Sequence, residues 1–335
     1  MPADDRSTRG AAIVMREYGG PDVLRFETVP LAVLQPDEIR LRSIASAINH
    51  SDLEIRAGNW PIRRRDPFPY TPGLEVVGEV VEVGPAVAEF RAGDRAITMM
   101  QGLGGVRAER PGGYAEYVVV RASAAAPFTE DVDPLDMAAL GLGGVTAFEG
   151  LRRIGDLKNR RIAITGAAGG VGSAAVAIAK AQGADVIGVI SRPQQADYVR
   201  SLGAIETMAA HDIAGGGLGS ETIDGLLDTV AGKSFGAYVT ALRPGGVLSL
   251  VGAVGGSNVS LDAYRLLEVT LTGYSSEDLD GSALRHAVDA ISEWLRSGAI
   301  VAPSRTLFPL REVAAAHSAL EQHRVNGRLL LVLDR

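Results

Sequence analysis

Short apolar runs broken by glycine and proline fill the first third of the chain. Five of them have the length and alternation of single β-strands, at residues 11–15, 38–44, 75–83, 94–99 and 115–120. Turn signals such as Gly19-Gly20-Pro21 and Gly84-Pro85 separate these runs. Strand-like runs punctuated in this way predict an antiparallel β domain.

Near residue 134 the pattern changes, and runs of strand and helix character begin to alternate. Predicted helices cover residues 135–154, 172–182, 194–202 and 282–297, and predicted strands cover residues 161–165, 185–190, 225–230, 246–251, 269–273 and 329–333. This alternation predicts a doubly wound parallel sheet with helices on both faces. The glycine-rich stretch at residues 209–219 is typical of a surface loop.

One turn in this second region has the composition of a dinucleotide site. A predicted strand leads through Gly166-x-x-Gly169-x-x-Gly172 directly into an alanine-rich helix. Small residues let the backbone approach a pyrophosphate, and a helix N-terminus offers it free N–H groups. The residues predicted to bind the cofactor here are Ala168, Gly169, Gly170 and Val171. The alternative is a tight strand–helix turn without a ligand.

The end of the next predicted strand indicates which cofactor is bound. NAD sites place an acidic residue there to bind the ribose 2′-hydroxyl, but this strand continues into Ser191 and Arg192. A hydroxyl and a guanidinium suit a 2′-phosphate instead. We therefore expect NADPH, the alternative being that Arg192 is merely solvated and that both cofactors are accepted. By the same strand-end rule, Val230, Val251, Gly252 and Ala253 are predicted to contact the cofactor.

Composition narrows the range of functions. The chain has 335 residues, enough for two domains, and carries a net charge of −7. An acidic balance argues against nucleic acid and anionic membranes as partners. With no cysteine, the chain has no disulfide and no thiolate metal site. Residues 1–10 are polar, so we expect a flexible tail rather than a signal peptide, and we expect a cytoplasmic protein without a membrane span.

Ordered sequence motifs from about residue 11 onward resemble the quinone oxidoreductase (zeta-crystallin-like) branch of the medium-chain dehydrogenase/reductase superfamily. The matching segments are residues 18–24, 48–52, 55–58, 69–80, 93–95, 112–117, 140–146, 167–172, 228–230, 243–247 and 326–329. The resemblance implies an α/β protein with a GroES-like β-rich catalytic domain (residues 11–127 and 300–335) and a Rossmann NADP(H)-binding domain (residues 128–299). It also implies a homodimer.

The resemblance further implies a reaction without zinc. Zinc-dependent relatives carry Gly-His-Glu where this chain has Gly73-Leu74-Glu75, and their zinc sites also use cysteines. Without a Lewis acid, the substrate must itself be electrophilic. A quinone or a conjugated enone meets this condition, because hydride addition gives a delocalised anion. We therefore expect an NADPH-dependent oxidoreductase acting on a small molecule of this kind.

Several site residues follow from the resemblance alone. Asn49 is expected beside the nicotinamide and the substrate, in a catalytic and a cofactor-binding role. Asp52 orients a water molecule or Asn49, or caps the following helix. Trp60 and Tyr70 are candidates for substrate binding, although Tyr70 is equally compatible with a packed core. The remaining cofactor contacts implied are Thr146, Asn326 and Arg328.

Two other functions stay open at this point. An enoyl-type double-bond reductase of a biosynthetic pathway fits the same fold, but relatives that reduce enoyl thioesters place a proton-donating tyrosine about where Trp60 stands. A non-catalytic NADPH-binding structural or RNA-binding protein belongs to a different class, and the acidic composition argues against RNA.

Overall fold

The computed structural model describes residues 8–103, 105–214, 217–322 and 326–333, except for the side chains of Gln101, Ala214 and Asp278. The chain divides into two compact units. The first comprises Met1–Leu142, Glu277–Ser292 and Ser304–Arg335, and the second comprises Gly143–Ser276 and Glu293–Pro303. Each unit has its own sheet, and the mixed α/β fold predicted from the sequence is confirmed.

The N-terminal half of the first unit is built mainly of β-strands. In chain order the elements are β1 (Arg9–Val14), β2 (Arg25–Pro30), β3 (Glu38–Ala47), α1 (His50–Ala57), β4 (Glu75–Val83), β5 (Arg95–Met99), β6 (Tyr117–Arg121), β7 (Ala125–Phe128) and α2 (Pro134–Arg152). Most of the predicted tail, residues 1–10, lies outside the described residues. Arg9 and Gly10 differ from that prediction, because they belong to a strand and pair with Pro30 and Val29 in an antiparallel ladder.

The second unit follows the predicted alternation of strand and helix. Its elements are β8 (Arg161–Ile164), α3 (Gly170–Ala181), β9 (Asp185–Ile190), α4 (Ala196–Ser201), β10 (Glu206–Ala209), α5 (Ala210–Ala214), β11 (Ile223–Asp228), α6 (Phe235–Ala241), β12 (Leu242–Leu250) and β13 (Thr270–Gly273). The strands form one parallel sheet in the order β10-β9-β8-β11-β12-β13. The middle strands are almost continuously apolar because both faces of a parallel sheet are covered.

Part of the predicted loop at residues 209–219 is a helix. The short helix α5 begins directly after β10, and the Ile213 side chain is fully buried in the core of the second unit. One buried isoleucine among polar and small neighbours gives no helical periodicity in the sequence, so tertiary packing decides the structure here.

The C-terminal segment returns to the first unit. Its elements are α7 (Gly281–Arg296), β14 (Arg305–Pro309), α8 (Val313–Glu321) and β15 (Arg328–Val332). The main sheet of the first unit has the order β14-β15-β3-β4-β5-β7, and β6 also pairs with β3. The insertion of β15 beside β3 makes the last described strand a neighbour of the strand that leads into α1.

Helix α2 is interrupted rather than continuous. At Gly141 the backbone adopts φ 27° and ψ −134°, which lies outside the helical region. Glycine is needed at this position, because a Cβ atom would lie 1.7 Å from Oε2 of Glu75. The interruption releases the next backbone N–H group, that of Leu142, from the helix and makes it available to a side chain.

None of the described helices is both long enough and apolar enough to cross a membrane.

Candidate active site

Three neighbouring strands of the first unit bring polar residues together at one edge of the sheet. Strand β3 ends just before Asn49, β4 begins at Glu75, and β15 begins at Arg328. In the antiparallel register, Leu330 faces Ala47, and the Ile48 N–H group bonds to the Leu329 carbonyl at 3.0 Å. One residue further, the register places Arg328 beside Asn49, although 279 positions separate them in sequence.

The carboxylate of Glu75 lies at the centre of this cluster. Its Oε1 atom accepts from Asn49 Nδ2 at 2.8 Å and from Arg328 Nη2 at 2.7 Å. Its Oε2 atom accepts from the Leu142 N–H group at 2.7 Å, at the interruption of α2. Burial raises the pKa of Glu75, an effect that the Arg328 guanidinium opposes. Both side chains of this ion pair are almost completely buried, so each depends on the other for compensation of its charge.

These contacts fix the orientation of the Asn49 amide. Its Oδ1 atom accepts from Arg328 Nη2 at 3.1 Å, while its Nδ2 atom donates to the Glu75 carboxylate. Because the amide oxygen faces a donor and the amide nitrogen faces an acceptor, only one of the two flipped orientations of the amide makes both hydrogen bonds. An amide nitrogen carries two hydrogens, so one N–H of Asn49 has no partner among the described residues and is available to a ligand. The guanidinium on its oxygen polarises the amide and strengthens that remaining donor.

Asp52 is held against the same cluster. Its Oδ2 atom accepts from the Asn49 backbone N–H at 2.8 Å, as in a capping box at the start of α1. Burial raises the pKa of Asp52 to about 7, and the nearby Glu75 carboxylate adds to the effect. The Tyr114 hydroxyl is also buried here, and burial together with the charge of Asp52 raises its pKa well above the ordinary value. Asp52 is therefore a buried group that changes charge near neutral pH.

Sequence reasoning missed the role of Glu75. It noted the residue only as part of the segment that replaces Gly-His-Glu, although a signal was present: a carboxylate opens the otherwise apolar start of a buried strand after Pro72-Gly73-Leu74. A charged residue at such a position is rare unless it has a partner. The partner could not be identified, because Arg328 lies in the last strand and Leu142 donates through its backbone.

The two predicted substrate residues differ in their surroundings. Tyr70 is buried, donates its hydroxyl to the Gly105 carbonyl at 3.3 Å, and lines a cavity of about 920 Å³ within the first unit. Burial raises the pKa of the Tyr70 hydroxyl, and the Asp52 charge adds to this. Trp60 is half-buried in the loop after α1, where its backbone N–H bonds to the Glu54 carbonyl. It is not among the described residues that line the cavity.

In the second unit, backbone atoms of the glycine turn lie close to one another at the start of α3. Gly169 is the N-cap of this helix, which begins at Gly170, two residues before the predicted start. A Cβ atom on Gly172 would lie 2.1 Å from the Gly166 carbonyl oxygen, so the turn closes only with glycine there. Gly169 is exposed, and Gly170 and Val171 are partly exposed. This geometry, with free N–H groups at a helix start, fits the pyrophosphate of a dinucleotide.

Residues that follow the neighbouring strands β11 and β12 lie beside this glycine turn. The turn and these residues together are called the cradle. The buried Asp228 carboxylate accepts from Thr165 Oγ1 at 2.6 Å and from the Val230 and Ala231 N–H groups at 2.9 and 3.0 Å. It therefore ties the ends of β8 and β11 together and shapes the turn at Val230. Val251 and Gly252 follow β12 and are half-buried, and Ala253 is exposed. Asp228 is a further positioning residue that sequence reasoning quoted only as part of a motif.

Thr146 lies on the face of α2 that packs against this cradle. Within the second unit, Gly143 approaches the Gly170 carbonyl closely, and Gly150 packs against Val251. Residues 143, 146 and 150 share one helix face, which places the buried Thr146 between those two contacts.

Three further candidates lie at a strand end and in the tail. Ser191 and Arg192 follow β9 and are exposed. Asn326 is half-buried, and its carbonyl accepts from Ser304 Oγ at 3.3 Å. Across the described part of the chain, no three His, Asp or Glu side chains are grouped so as to hold a metal ion.

Sequence comparisons match two segments of the chain to dehydrogenase families. Residues 35–130 match the family described as the alcohol dehydrogenase GroES-like domain, and residues 170–293 match the family described as zinc-binding dehydrogenase. A quinone oxidoreductase from Sus scrofa is 29% identical over 96% of this chain and 98% of its own length. A 2-haloacrylate reductase from a Burkholderia species is 30% identical over 96% of this chain and 98% of its own length.

Solved structures give the same result for the whole fold. The Escherichia coli quinone oxidoreductase, determined in complex with NADPH, superposes with a TM-score of 0.83 at 25% identity, covering 96% of this chain and 99% of the other. Both units are therefore matched in one relative. The chain belongs to the medium-chain dehydrogenase/reductase superfamily, and it is an oxidoreductase of the quinone oxidoreductase branch.

Proposed function

We propose that this protein transfers hydride from NADPH to a small conjugated acceptor, a quinone or an enone, without a catalytic metal. The observation that carries the proposal is the buried Asn49–Glu75–Arg328 cluster, which leaves one oriented amide N–H of Asn49 for a ligand oxygen. Hydride addition to a quinone or enone places negative charge on that oxygen. A preorganised donor next to a guanidinium stabilises such a charge.

The second unit supplies the nucleotide-binding residues. The turn from Gly166 to Gly172 fits the pyrophosphate, and Ser191 and Arg192 suit a 2′-phosphate better than a free 2′-hydroxyl. We extend the NADPH of the Escherichia coli relative to this chain on that basis. Bound NADPH supplies the hydride, and the protein supplies orientation and hydrogen bonds. Contacts of Thr146, Asn326 and Arg328 with the cofactor remain predictions.

Metal independence rests on the residues that replace a zinc site. The chain has no cysteine, and Leu74 stands where zinc-dependent relatives carry a histidine. The neighbouring Glu75 carboxylate accepts hydrogen bonds from Asn49, Arg328 and Leu142. A carboxylate engaged in this way serves as a fixed hydrogen-bond acceptor rather than as a metal ligand.

A conjugated carbon–carbon double bond is the second candidate acceptor. The similarity to a 2-haloacrylate reductase at 30% identity favours it, because that substrate class is an activated alkene rather than a quinone. The position of Trp60 still argues against an enoyl-thioester mechanism with a tyrosine proton donor. The cytoplasmic location expected from the sequence stays a prediction.

The first test compares the two cofactors and then three classes of acceptor. We expect NADPH to bind more tightly than NADH in a fluorescence titration, because Arg192 pairs with the 2′-phosphate. Adding 9,10-phenanthrenequinone to the NADPH complex is expected to oxidise the cofactor. A conjugated enone and 2-chloroacrylate, tested in parallel, decide between the acceptor classes.

Each outcome of this test has a separate meaning. NADPH binding without oxidation by any of the three acceptors would contradict the hydride-transfer proposal and favour the non-catalytic alternative. Oxidation by 2-chloroacrylate alone would replace the quinone with the activated alkene. Equal affinity for NADPH and NADH would contradict the assignment of the 2′-phosphate site.

The buried Asp52 carboxylate makes the reaction pH-dependent. Asp52 faces Glu75 and Arg328, as well as the Tyr114 and Tyr70 hydroxyls. Burial raises its pKa to about 7, so it is neutral on the acidic side of that value. Above it, a second carboxylate charge beside Glu75 disfavours the anion formed by hydride addition. We propose that Asp52 positions Asn49 and that its neutral form supports catalysis.

Asp52→Asn tests this role through the pH profile. In the wild type, kcat/KM for the acceptor is expected to fall by about tenfold per pH unit above a pKa near 7. The variant keeps a neutral acceptor for the Asn49 N–H, so its profile should stay flat across this range. His50→Gln is the control, because His50 is an exposed residue in the first turn of the same helix. An inflection that survives in Asp52→Asn and disappears in His50→Gln would refute the role of Asp52.

The same group links stability to pH. Between the ordinary value of 3.8 and about 7, the folded chain keeps a proton on Asp52 that the unfolded chain has released. The free energy of unfolding contributed by this group therefore falls as pH rises through that window, and Asp52→Asn removes this part of the slope.

We propose that the protein is a homodimer joined through β13. This strand ends the parallel sheet, so one of its edges is unpaired within the described sheet. Apolar side chains of the preceding segment are strongly exposed, with Tyr264 at 79% and Leu267 at 82%. A second copy would cover both the open strand edge and these side chains.

A mass measurement by light scattering tests the dimer. The wild type is expected at twice 35.0 kDa. Leu267→Asp should lower the mass toward one chain, because it places a charge in an apolar contact. Ile205→Asp is the matched control, since Ile205 is 59% exposed and precedes β10 at the opposite end of the sheet. A wild-type monomer, or equal masses for both variants, would contradict the proposed interface.

A further inference from the structure

A single buried glutamine holds the turn that follows β9. The Gln195 Oε1 atom accepts from the Ser191 N–H at 3.1 Å, from Ser191 Oγ at 3.2 Å and from the Arg192 N–H at 3.1 Å. Because three donors converge on this one atom, it must be the amide oxygen rather than the nitrogen. The Gln195 side chain is buried, whereas Ser191 and Arg192 are exposed. The Gln195 oxygen therefore accepts these hydrogen bonds from the buried side of the turn.

This arrangement divides the roles of the two exposed residues. Ser191 has one hydroxyl hydrogen, and Gln195 Oε1 competes with a phosphate for it. Arg192 contacts Gln195 through its backbone: its N–H donates to Gln195 Oε1, and its carbonyl accepts from the Gln195 N–H at 3.0 Å. Its guanidinium is within ion-pair distance of no carboxylate among the residues that the structure describes. The guanidinium is therefore the group that can donate to a phosphate.

Neighbouring charges leave this guanidinium available. Asp197 is the acidic residue nearest in sequence after the turn, and its carboxylate pairs with Arg200 at 3.4 Å. Asp185 stands at the opposite end of β9. Selectivity for a charged group then depends on how firmly the Arg192 backbone is held, because a preorganised guanidinium loses less conformational entropy on binding.

We propose that Gln195 is a positioning residue that sets the preference of this enzyme for nucleotides with a 2′-phosphate. It acts through the backbone of Ser191 and Arg192 and does not itself touch the cofactor. The inference rests on the proposed NADPH dependence. It goes further by naming the side chain that makes Arg192 effective.

Two substitutions at Gln195 distinguish the effect of its hydrogen-bond acceptor from the effect of its side-chain volume. Gln195→Met keeps a similar volume and removes the acceptor, whereas Gln195→Glu keeps an acceptor and adds a negative charge beneath the turn. Gln194→Met is the matched control, because this adjacent glutamine is exposed. Dissociation constants are measured for NADPH, NADH and 2′,5′-ADP by fluorescence and calorimetry. Thermal unfolding of each variant confirms that it folds.

The expected result is a change confined to ligands that carry the 2′-phosphate. Gln195→Met should weaken NADPH and 2′,5′-ADP by about tenfold and leave NADH unchanged, which corresponds to about one hydrogen bond of net stabilisation. Gln195→Glu should weaken the same two ligands through repulsion of the phosphate. Gln194→Met should match the wild type.

Three results would overturn the inference. If the wild type prefers NADPH and Gln195→Met keeps that preference, Gln195 has no role in selectivity, while the proposed function stands. An equal loss of NADPH and NADH would make Gln195 a general folding residue of the turn. No preference in the wild type would overturn the assigned 2′-phosphate site together with the role of Gln195.

Discussion

The proposed site in the first unit depends on the hydrogen bonds that the buried Glu75 carboxylate accepts. It joins the start of β4 to Asn49 after β3, to Arg328 at the start of β15, and to the Leu142 N–H at the interruption of α2. Losing one member of such a buried pair costs about 3–5 kcal/mol, because the other charge remains uncompensated. The orientation of the Asn49 amide follows from this contact, and the proposed chemistry follows from that orientation.

The second unit also has a buried carboxylate that accepts several hydrogen bonds at its own site. Asp228 is completely buried and accepts hydrogen bonds from Thr165 and from two backbone N–H groups after β11. In each unit a buried carboxylate ties the ends of neighbouring strands, where candidate functional residues lie. Backbone N–H groups and hydroxyls used in this way hold turns rigid without exposing a charge to a bound nucleotide. Gln195 has a comparable role with a neutral acceptor after β9.

Local signals in the sequence were sufficient to predict the glycine turn of the second unit. The strand–glycine turn–helix pattern predicted a tight turn at residues 166–172, because close backbone approach demands small residues wherever it occurs. Nucleotide binding at these residues stays a prediction. The Asn49–Glu75–Arg328 cluster could not be predicted in the same way. It depends on the antiparallel register of β15 with β3 and on a backbone N–H freed at Gly141. A glycine within an apolar helical run carries no sign that it interrupts the helix, and helix α5 was missed for a similar lack of periodicity.

Within this established family, we propose that the fixed Asn49 amide and the Arg328 guanidinium of this chain serve an electrophilic acceptor in place of a metal. The most direct test is the rate of NADPH oxidation by 9,10-phenanthrenequinone in protein treated exhaustively with a chelator, with bound metal measured by mass spectrometry. We expect the single-turnover rate to be the same before and after metal removal. A rate that falls in proportion to the metal removed, and returns when zinc is added, would contradict this proposal.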